Sequence, residues 1–261
     1  MSIVLPDARL ETPELLIPGR KPIGKVVVDR SSPLSHGLVD CLLARGKNYE
    51  SADDGAVYST TDPSAFGIAT DHHGQSIYPS PIMTRRTYQL SPANSASKFT
   101  RPFTGMTVLA LVKRLGNAVG NAPIFAWNSA LYSPYVAWGL TDRLGTGILR
   151  LEYATGNGYG YIEKAGGFTG DYQCIMATFK SGAVRLFSDG AQVQWSSSVS
   201  GALVYPSGAD AGPSIGNFFN YNDQPRTFNG QIYMCALWER TLSPDEVRNV
   251  SHNPYQFLIP A

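Results

Sequence analysis

The sequence predicts an all-β domain, a two-sheet antiparallel sandwich with an extended N-terminal arm and one short helix near the C-terminus. Three observations carry this expectation. From Gly37 onward, short runs rich in β-branched and aromatic residues recur between clusters of Gly, Asn, Asp and Ser. "AVRLFSDGAQVQW" reads as a hairpin, because Asp189-Gly190 suits the positive φ angles of a two-residue primed turn. "WERTLSPDEVRNVSHNPYQF" is the stretch marked at both ends as a helix. With 261 residues, 43% of them apolar, the chain can bury a sizeable core as a single β-rich domain.

Residues 1–35 are expected to form the arm, and residues 36–261 the sandwich. Pro6, Pro13, Pro18, Pro22 and Pro33 separate the apolar pieces "SIVL", "ELLI" and "KVVV". Prolines at this density deny a helix, because each lacks an amide hydrogen and fixes φ. One edge strand is expected over residues 25–29. Solvated tails are polar and charged, and this arm is not. Its side chains Ile3, Val4, Leu5, Leu15, Leu16 and Ile17 are therefore expected to bury against a partner.

The sandwich opens with "GLVDCLL". Residues 48–94 read as loop-rich, with weak strands at "QSIY" and "TYQL". Strand-like runs follow in close succession, from "GMTVLALVKR" through "APIFAW", "PYVAWGL", "GILRLEYA", "YGYIEK" and "YQCIMATF" to "GPSIGNF" and "NGQIYMCALWE". "TVLALV" is apolar on both of its alternating faces, so both must be covered. At the helix, Ser243 is the expected N-cap, Pro244 the first helical residue and Glu246 the reciprocal partner of a capping box. Asn253 is expected in the left-handed conformation after the last turn, and Pro254 prevents continuation.

Composition removes several function classes. The formal net charge of +1 favours no polyanion, so nucleic acid is not an expected partner. No apolar run is long enough to span a bilayer, and the N-terminal segment lacks a signal-peptide pattern; synthesis in a cytoplasm without an export address is expected. Cys41, Cys174 and Cys235 sit in apolar runs and should be free, buried thiols.

Catalytic motifs are missing. Sandwich glycosidases use a pair of carboxylates, but in "ILRLEYA" Glu152 shares its strand face with Arg150. There is no H-E-x-x-H or P-loop, so no catalytic residue is assigned and an enzyme is not expected. The neighbours His72 and His73 would point to opposite faces of a strand, and the loop holding Asn220, Asn222 and Asp223 offers one carboxylate. No metal or other cofactor is expected. The candidate glycan or protein contacts are aromatic: Tyr153, Tyr159 and Tyr161 in "EYATGNGYGYIE", with Phe219 and Tyr221 in "NFFNYND". The alternative is that these rings cover a sandwich edge or an oligomer contact. Trp127, Trp138, Trp195 and Trp238 are expected in the core or in hairpins.

Three segments resemble laminin-G-like, concanavalin A-like jelly rolls: "FTGMTVLALVKR", "DYQCIMATFKSGAVRLFSDGAQV" and "GPSIGNF…FNGQIYMCALWERTLSPDEVRNVSHNPYQF". The ending "NPYQF" is similar to versions found in bacteriophage structural proteins. Gln173-Cys174 stands where the family carries an aromatic-His pair, and "LLARGKNYE" lacks the usual F-N-E. The resemblance implies a jelly roll closed by its terminal helix, with Val247 and Val250 packed across the sandwich end and "PYQF" returning a strand beside the first. It also implies a virion protein, made in the bacterial host cytoplasm, that contacts other virion subunits and forms a homo-oligomer. Capsid decoration by adhesion is the leading expectation. A glycan-binding module of a tail or fibre is the alternative.

Overall fold

The structure, a computed structural model, describes residues 15, 17, 20–59, 66–79, 88–89, 96–99, 103–118, 120–129, 134–143, 146–206, 211–217 and 226–261. The strands run in chain order as β1 (Val26–Val28), β2 (Leu38–Arg45), β3 (Asn48–Ser51), β4 (Val57–Tyr58), β5 (Phe66–Asp71) and β6 (Gly74–Pro79). Next come β7 (Tyr88–Gln89), β8 (Gly105–Arg114), β9 (Ala122–Ser129), β10 (Val136–Arg143), β11 (Ile148–Thr155) and β12 (Gly158–Lys164). The last are β13 (Tyr172–Lys180), β14 (Ala183–Ser188), β15 (Ala191–Ser196), β16 (Ala211–Ile215), β17 (Gly230–Trp238) and β18 (Leu258–Pro260). The helix α1 spans Pro244–His252, between β17 and β18.

All pairings are antiparallel. A six-stranded sheet has the order β12-β11-β10-β9-β16-β7, and a ten-stranded sheet runs β15-β14-β13-β8-β17-β2-β3-β4, with the β5–β6 hairpin attached through β17. The expected two-sheet jelly roll is what the chain forms, with a small extra ribbon of β1 and β18. The hairpin turn is as expected, with positive φ at Asp189 (49°) and Gly190 (80°). The Asp189 carboxylate also accepts from the Cys174 amide at 2.8 Å, tying the turn back to β13.

The two-faced apolar pattern of β8 sorts into two layers. Met106, Val108, Ala110 and Val112 meet Phe125, Leu140 and Leu151 of the six-stranded sheet in the main core. Leu109 and Leu111 point the other way, into a second cluster with Met176, Trp238, Val247, Val250 and Phe257. Here the structure corrects the placement of α1. It lies on the outer face of the ten-stranded sheet rather than across the sandwich end, because that face is itself apolar and must be roofed. The capping box forms as expected: the Glu246 amide donates to Ser243 Oγ at 3.2 Å, and the Ser243 amide to the Glu246 carboxylate at 2.8 Å. The helix end differs. Asn253 has φ −138°, and its amide closes the last turn on the Asn249 carbonyl without a left-handed residue.

The N-terminal boundary also shifts. β1 pairs with β18 through Val26↔Pro260, Val27↔Ile259 and Val28↔Leu258, so residues 26–28 belong to the domain and not to a free arm. The returning strand is Leu258–Pro260, just beyond "PYQF". Leu15 is fully buried in the same outer layer, which corrects its assignment as a partner contact: it covers its own sheet. Ile17 is 45% exposed. Ile3, Val4, Leu5 and Leu16 lie outside the described residues.

The region read as loop-rich contains the β5–β6 hairpin. The sequence "FGIATD" hides it, because Gly67 sits opposite Tyr78, where an added Cβ would come within 2.0 Å of the phenol ring. The glycine that weakens the strand signal is what lets the ring lie flat. Cys41, Cys174 and Cys235 are free and buried, as expected. Trp127, Trp138 and Trp238 are core residues, and Trp195 stands 58% exposed on the edge strand β15.

Candidate functional site

The outer face of the six-stranded sheet is built by period-two alternation. On β11, Leu149, Leu151 and Tyr153 point into the core, so Arg150, Glu152 and Ala154 face outward. Cross-strand register sets their neighbours: Arg150 opposes Glu163, Glu152 opposes Tyr161 and Ala154 opposes Tyr159 on β12. On the other side, Thr141 and Gly139 of β10 oppose Arg150 and Glu152. The stretch holding Tyr159 and Tyr161 is thus the strand expected from "YGYIEK", and it presents both rings on one face.

Tyr153 is not part of this face. It is 7% exposed and packs 5.7 Å from Phe179 across the core, which corrects its assignment as a contact residue. Gly160 opposite leaves the space its ring fills, since a Cβ there would fall 2.5 Å from the ring. Tyr159 and Tyr161 are 54% and 47% exposed, with centroids 6.2 Å apart. Phe219 and Tyr221 lie outside the described residues.

A cleft of about 730 Å³ opens on this face, walled by Tyr159 and Tyr135 and floored by Glu152, Thr155 and Asn121, with Arg226 at its side. Tyr135 carries no sequence signal for a site. It precedes β10, and its carbonyl accepts the Ser129 amide at 2.8 Å, which anchors this wall to the end of β9. A further wall is brought in by the Val204 amide, which donates to the Ala154 carbonyl at 2.9 Å. On the floor, Asn121 Oδ1 is buried and has no hydrogen-bond partner among the described residues.

The charges are arranged in a chain. Arg150 donates from Nε and Nη2 to Glu163 at 3.0 and 2.7 Å, and from Nη1 to Glu152 at 3.3 Å. Its guanidinium lies 4.0 Å from the Tyr161 ring centroid, a cation–π contact. Arg143 holds Glu163 from the other side at 3.1 Å. Glu152 and Glu163 form a carboxylate pair that a search along one strand cannot see, because its members sit on adjacent strands. Arg150 occupies the position between them. Burial pushes the Glu152 carboxyl above its ordinary range, while Arg150, the Tyr159 hydroxyl and the charge of Arg226 act in the opposite sense.

A second cleft of about 560 Å³ lies where the N-terminal segment folds back, beside Lys21, Arg45, Asp71 and His72. Lys21 is 3% exposed, and its ammonium donates to the Ala44 and Gln75 carbonyls. Arg45 in turn donates to the Ile23 and Gly24 carbonyls. These bonds fasten residues 20–25 to the sheet, so this cleft reads as a seam of the fold. His73 stacks on Tyr172 with centroids 3.8 Å apart. Among the described residues no cluster of His, Cys, Asp and Glu is placed to hold a metal ion, and no helix is long and apolar enough to cross a membrane.

Two stacked sheets with an aromatic-walled cleft on one outer face define a lectin-like jelly roll. A family model for the concanavalin A-like lectin/glucanases superfamily, of laminin-G type, matches residues 88–248, and the chain belongs to this family. Solved structures with the same fold include the binding domain of Paraclostridial Mosquitocidal Protein 1 (TM-score 0.56, 14% identity), which covers 84% of this chain and 52% of its own length. The botulinum neurotoxin serotype G binding domain aligns with TM-score 0.57 and 12% identity over 82% of this chain and 50% of its own length. The Ruminococcus gnavus IT-sialidase CBM40 bound to alpha2,3 sialyllactose aligns at 0.51 and 14% over 67% of this chain and 96% of its own length. The chain thus spans about half the length of the two toxin binding domains. A search of curated proteins finds no match.

Proposed function

We propose that the protein binds glycans through the cleft on the outer face of the six-stranded sheet. The observation that carries this reading is the pairing of exposed tyrosine walls, Tyr135 and Tyr159, with a buried polar floor at Glu152 and Asn121. Aromatic faces bury the apolar C–H side of a sugar ring, and fixed polar groups below orient its hydroxyls. In this reading binding proceeds without hydrolysis, because Arg150 ties both Glu152 and Glu163 into ion pairs. The reading is tested on a glycan panel by calorimetry with the wild-type protein and Tyr159→Ala. Saturable binding weakened by the substitution is the expected result, and absence of binding to every glycan sinks it. Release of reducing ends from a bound polysaccharide would overturn the non-catalytic part.

The setting proposed for this activity is a bacteriophage virion assembled in a bacterial cytoplasm, with other virion subunits and further copies of this chain as partners. The "NPYQF" ending and the order of the family segments support it. A second reading, decoration of the capsid by adhesion, draws on Ile17, Ile23 and Val27, which are 45%, 74% and 36% exposed along the N-terminal segment. Copy number separates the readings. Protein mass spectrometry of purified particles should find hundreds of copies for a decoration protein and a handful for a tail lectin.

A further inference from the structure

We infer that the ligand is a sugar chain, held in part by the cleft and with at least one further sugar seated on Tyr161 outside it, an inference that rests on the glycan reading above. The aromatic surface does not end with the cleft. Tyr159 is one of its walls, and Tyr161, which is not in its lining, is the next outward residue of β12. The two ring centroids are 6.2 Å apart and the ring planes are tilted by 45°. One flat sugar face cannot stack on both planes at once, so each ring takes its own sugar. β12 is the edge strand of its sheet, and a chain leaving the cleft over Tyr159 meets Tyr161 next along it.

Tyr161 is built as a platform. The Arg150 guanidinium carbon lies over its ring, 4.0 Å from the centroid, which places a cation against one face. Arg150 is 4% exposed and is held by its hydrogen bonds to Glu163 and Glu152. The inner face of the ring therefore rests on a fixed charge. Shielding that charge occupies this face alone, and Tyr161 remains 47% exposed. The ring is thus pre-oriented, with its outer face left for a ligand, and little side-chain freedom is lost when a sugar settles on it.

The test measures affinity against chain length, using gluco-, manno-, galacto-, xylo- and N-acetylglucosamine series from disaccharides to hexasaccharides. Titration calorimetry on the wild-type protein should show, in a series that binds, affinity rising about tenfold from the shortest bound member before it levels off, one decade being about 1.4 kcal/mol. Tyr161→Ala should lower the longer members to about the affinity of the shortest and leave the shortest within about twofold of wild type. Tyr161→Phe, which keeps a ring over Arg150, should keep the length dependence. Affinity independent of length overturns the inference and leaves the glycan reading standing. So does a Tyr161→Ala protein that binds every length as the wild type does. A Tyr161→Ala protein weakened equally at every length also overturns it, because Tyr161 would then support the cleft instead of extending it. If no member of any series binds, the glycan reading fails and the inference falls with it.

Discussion

The outer face of the six-stranded sheet carries Arg150, Glu152, Tyr159 and Tyr161, whereas the outer face of the ten-stranded sheet carries Leu109, Leu111, Met176 and Met234. Both lie on the far side of the same core, and both are made by period-two alternation. The second is roofed by α1, the β1–β18 ribbon and the N-terminal segment, and becomes a second core. The first is also buried over its central strands, at Thr141, Arg150 and Glu152, but with polar and charged side chains, and it keeps a cleft beside the exposed Tyr159. A sheet with two apolar faces must be covered by further chain, because each exposed aliphatic side chain forgoes about 1.5–3 kcal/mol of burial. A charged face is buried only where ion pairs satisfy it, as Arg150 does for Glu152 and Glu163, and the cleft lies beside that pairing.

Loosening the roof from the sheet beneath it should cost stability and spare binding. Trp238 is fully buried, donates Nε1–H to the Leu34 carbonyl at 2.7 Å and packs edge-on to Phe257. Trp238→Ala is expected to lose about 3–5 kcal/mol in a denaturant melt, from cavity formation and the orphaned carbonyl. Glycan affinity at low temperature should stay within about twofold of wild type. A large loss of affinity in the folded variant would show that the two faces are coupled.

The converse substitution is Tyr159→Ala at the cleft. It should weaken glycan binding about tenfold, in keeping with the ~0.5–1.5 kcal/mol typical of an aromatic contact. Half of that ring is already in solvent, so the melting temperature should move by less than a few degrees. Calorimetry and a thermal melt on the same sample decide whether this face serves binding or folding.

At the helix start, Ser243→Ala removes the side-chain acceptor of the Glu246 amide. A loss of about 0.5–2 kcal/mol is expected, with binding unchanged. An unaltered melt would mean that the roof is held by Val247 and Val250 alone.

The smallest effect is a difference in pH dependence between the faces. Glu246 is held below its ordinary value of 4.5, chiefly by its hydrogen bond from Arg240 at 2.7 Å. Its folded pKa is depressed, so its contribution is present above about pH 4.5 and is lost as the pH falls through its folded value. Glu152 is raised above 4.5 by burial. Its ionisation therefore costs stability above its folded pKa, and that cost is relieved as the pH falls toward 4.5. Glu246→Gln should flatten the acid limb of the stability profile. Glu152→Gln should remove a decline on the way up from pH 4.5. Equal slopes for both variants would contradict the contrast.

The lesson of Glu152 is one of dimension. Along β11 it stands alone beside Arg150, and this suffices to set aside an in-strand carboxylate pair. Its second carboxylate, Glu163, comes from the next strand through the register Arg150↔Glu163, which no local pattern encodes. Tyr135 was invisible for the same reason. It becomes a wall only when the end of β9 and the start of β10 are brought together. Tyr153 errs in the opposite direction: the alternation Leu149, Leu151, Tyr153 against Arg150 and Glu152 already places it on the apolar, core-facing parity. Gly160 on the facing strand makes its pocket.

Local chemistry was enough to determine the strand-rich class, the Asp189-Gly190 turn, the capping box at Ser243 and Glu246, and the burial of three free thiols. Each depends on φ preference, alternation or a hydrogen bond within a few residues. Which face carries the cleft, where α1 lies, and that residues 26–28 join the C-terminal strand were decided by tertiary structure. The last of these joins residues more than two hundred positions apart, Val26 with Pro260. These outcomes follow from which apolar surfaces need covering once the sheets have formed, and that is a property of the assembled sandwich.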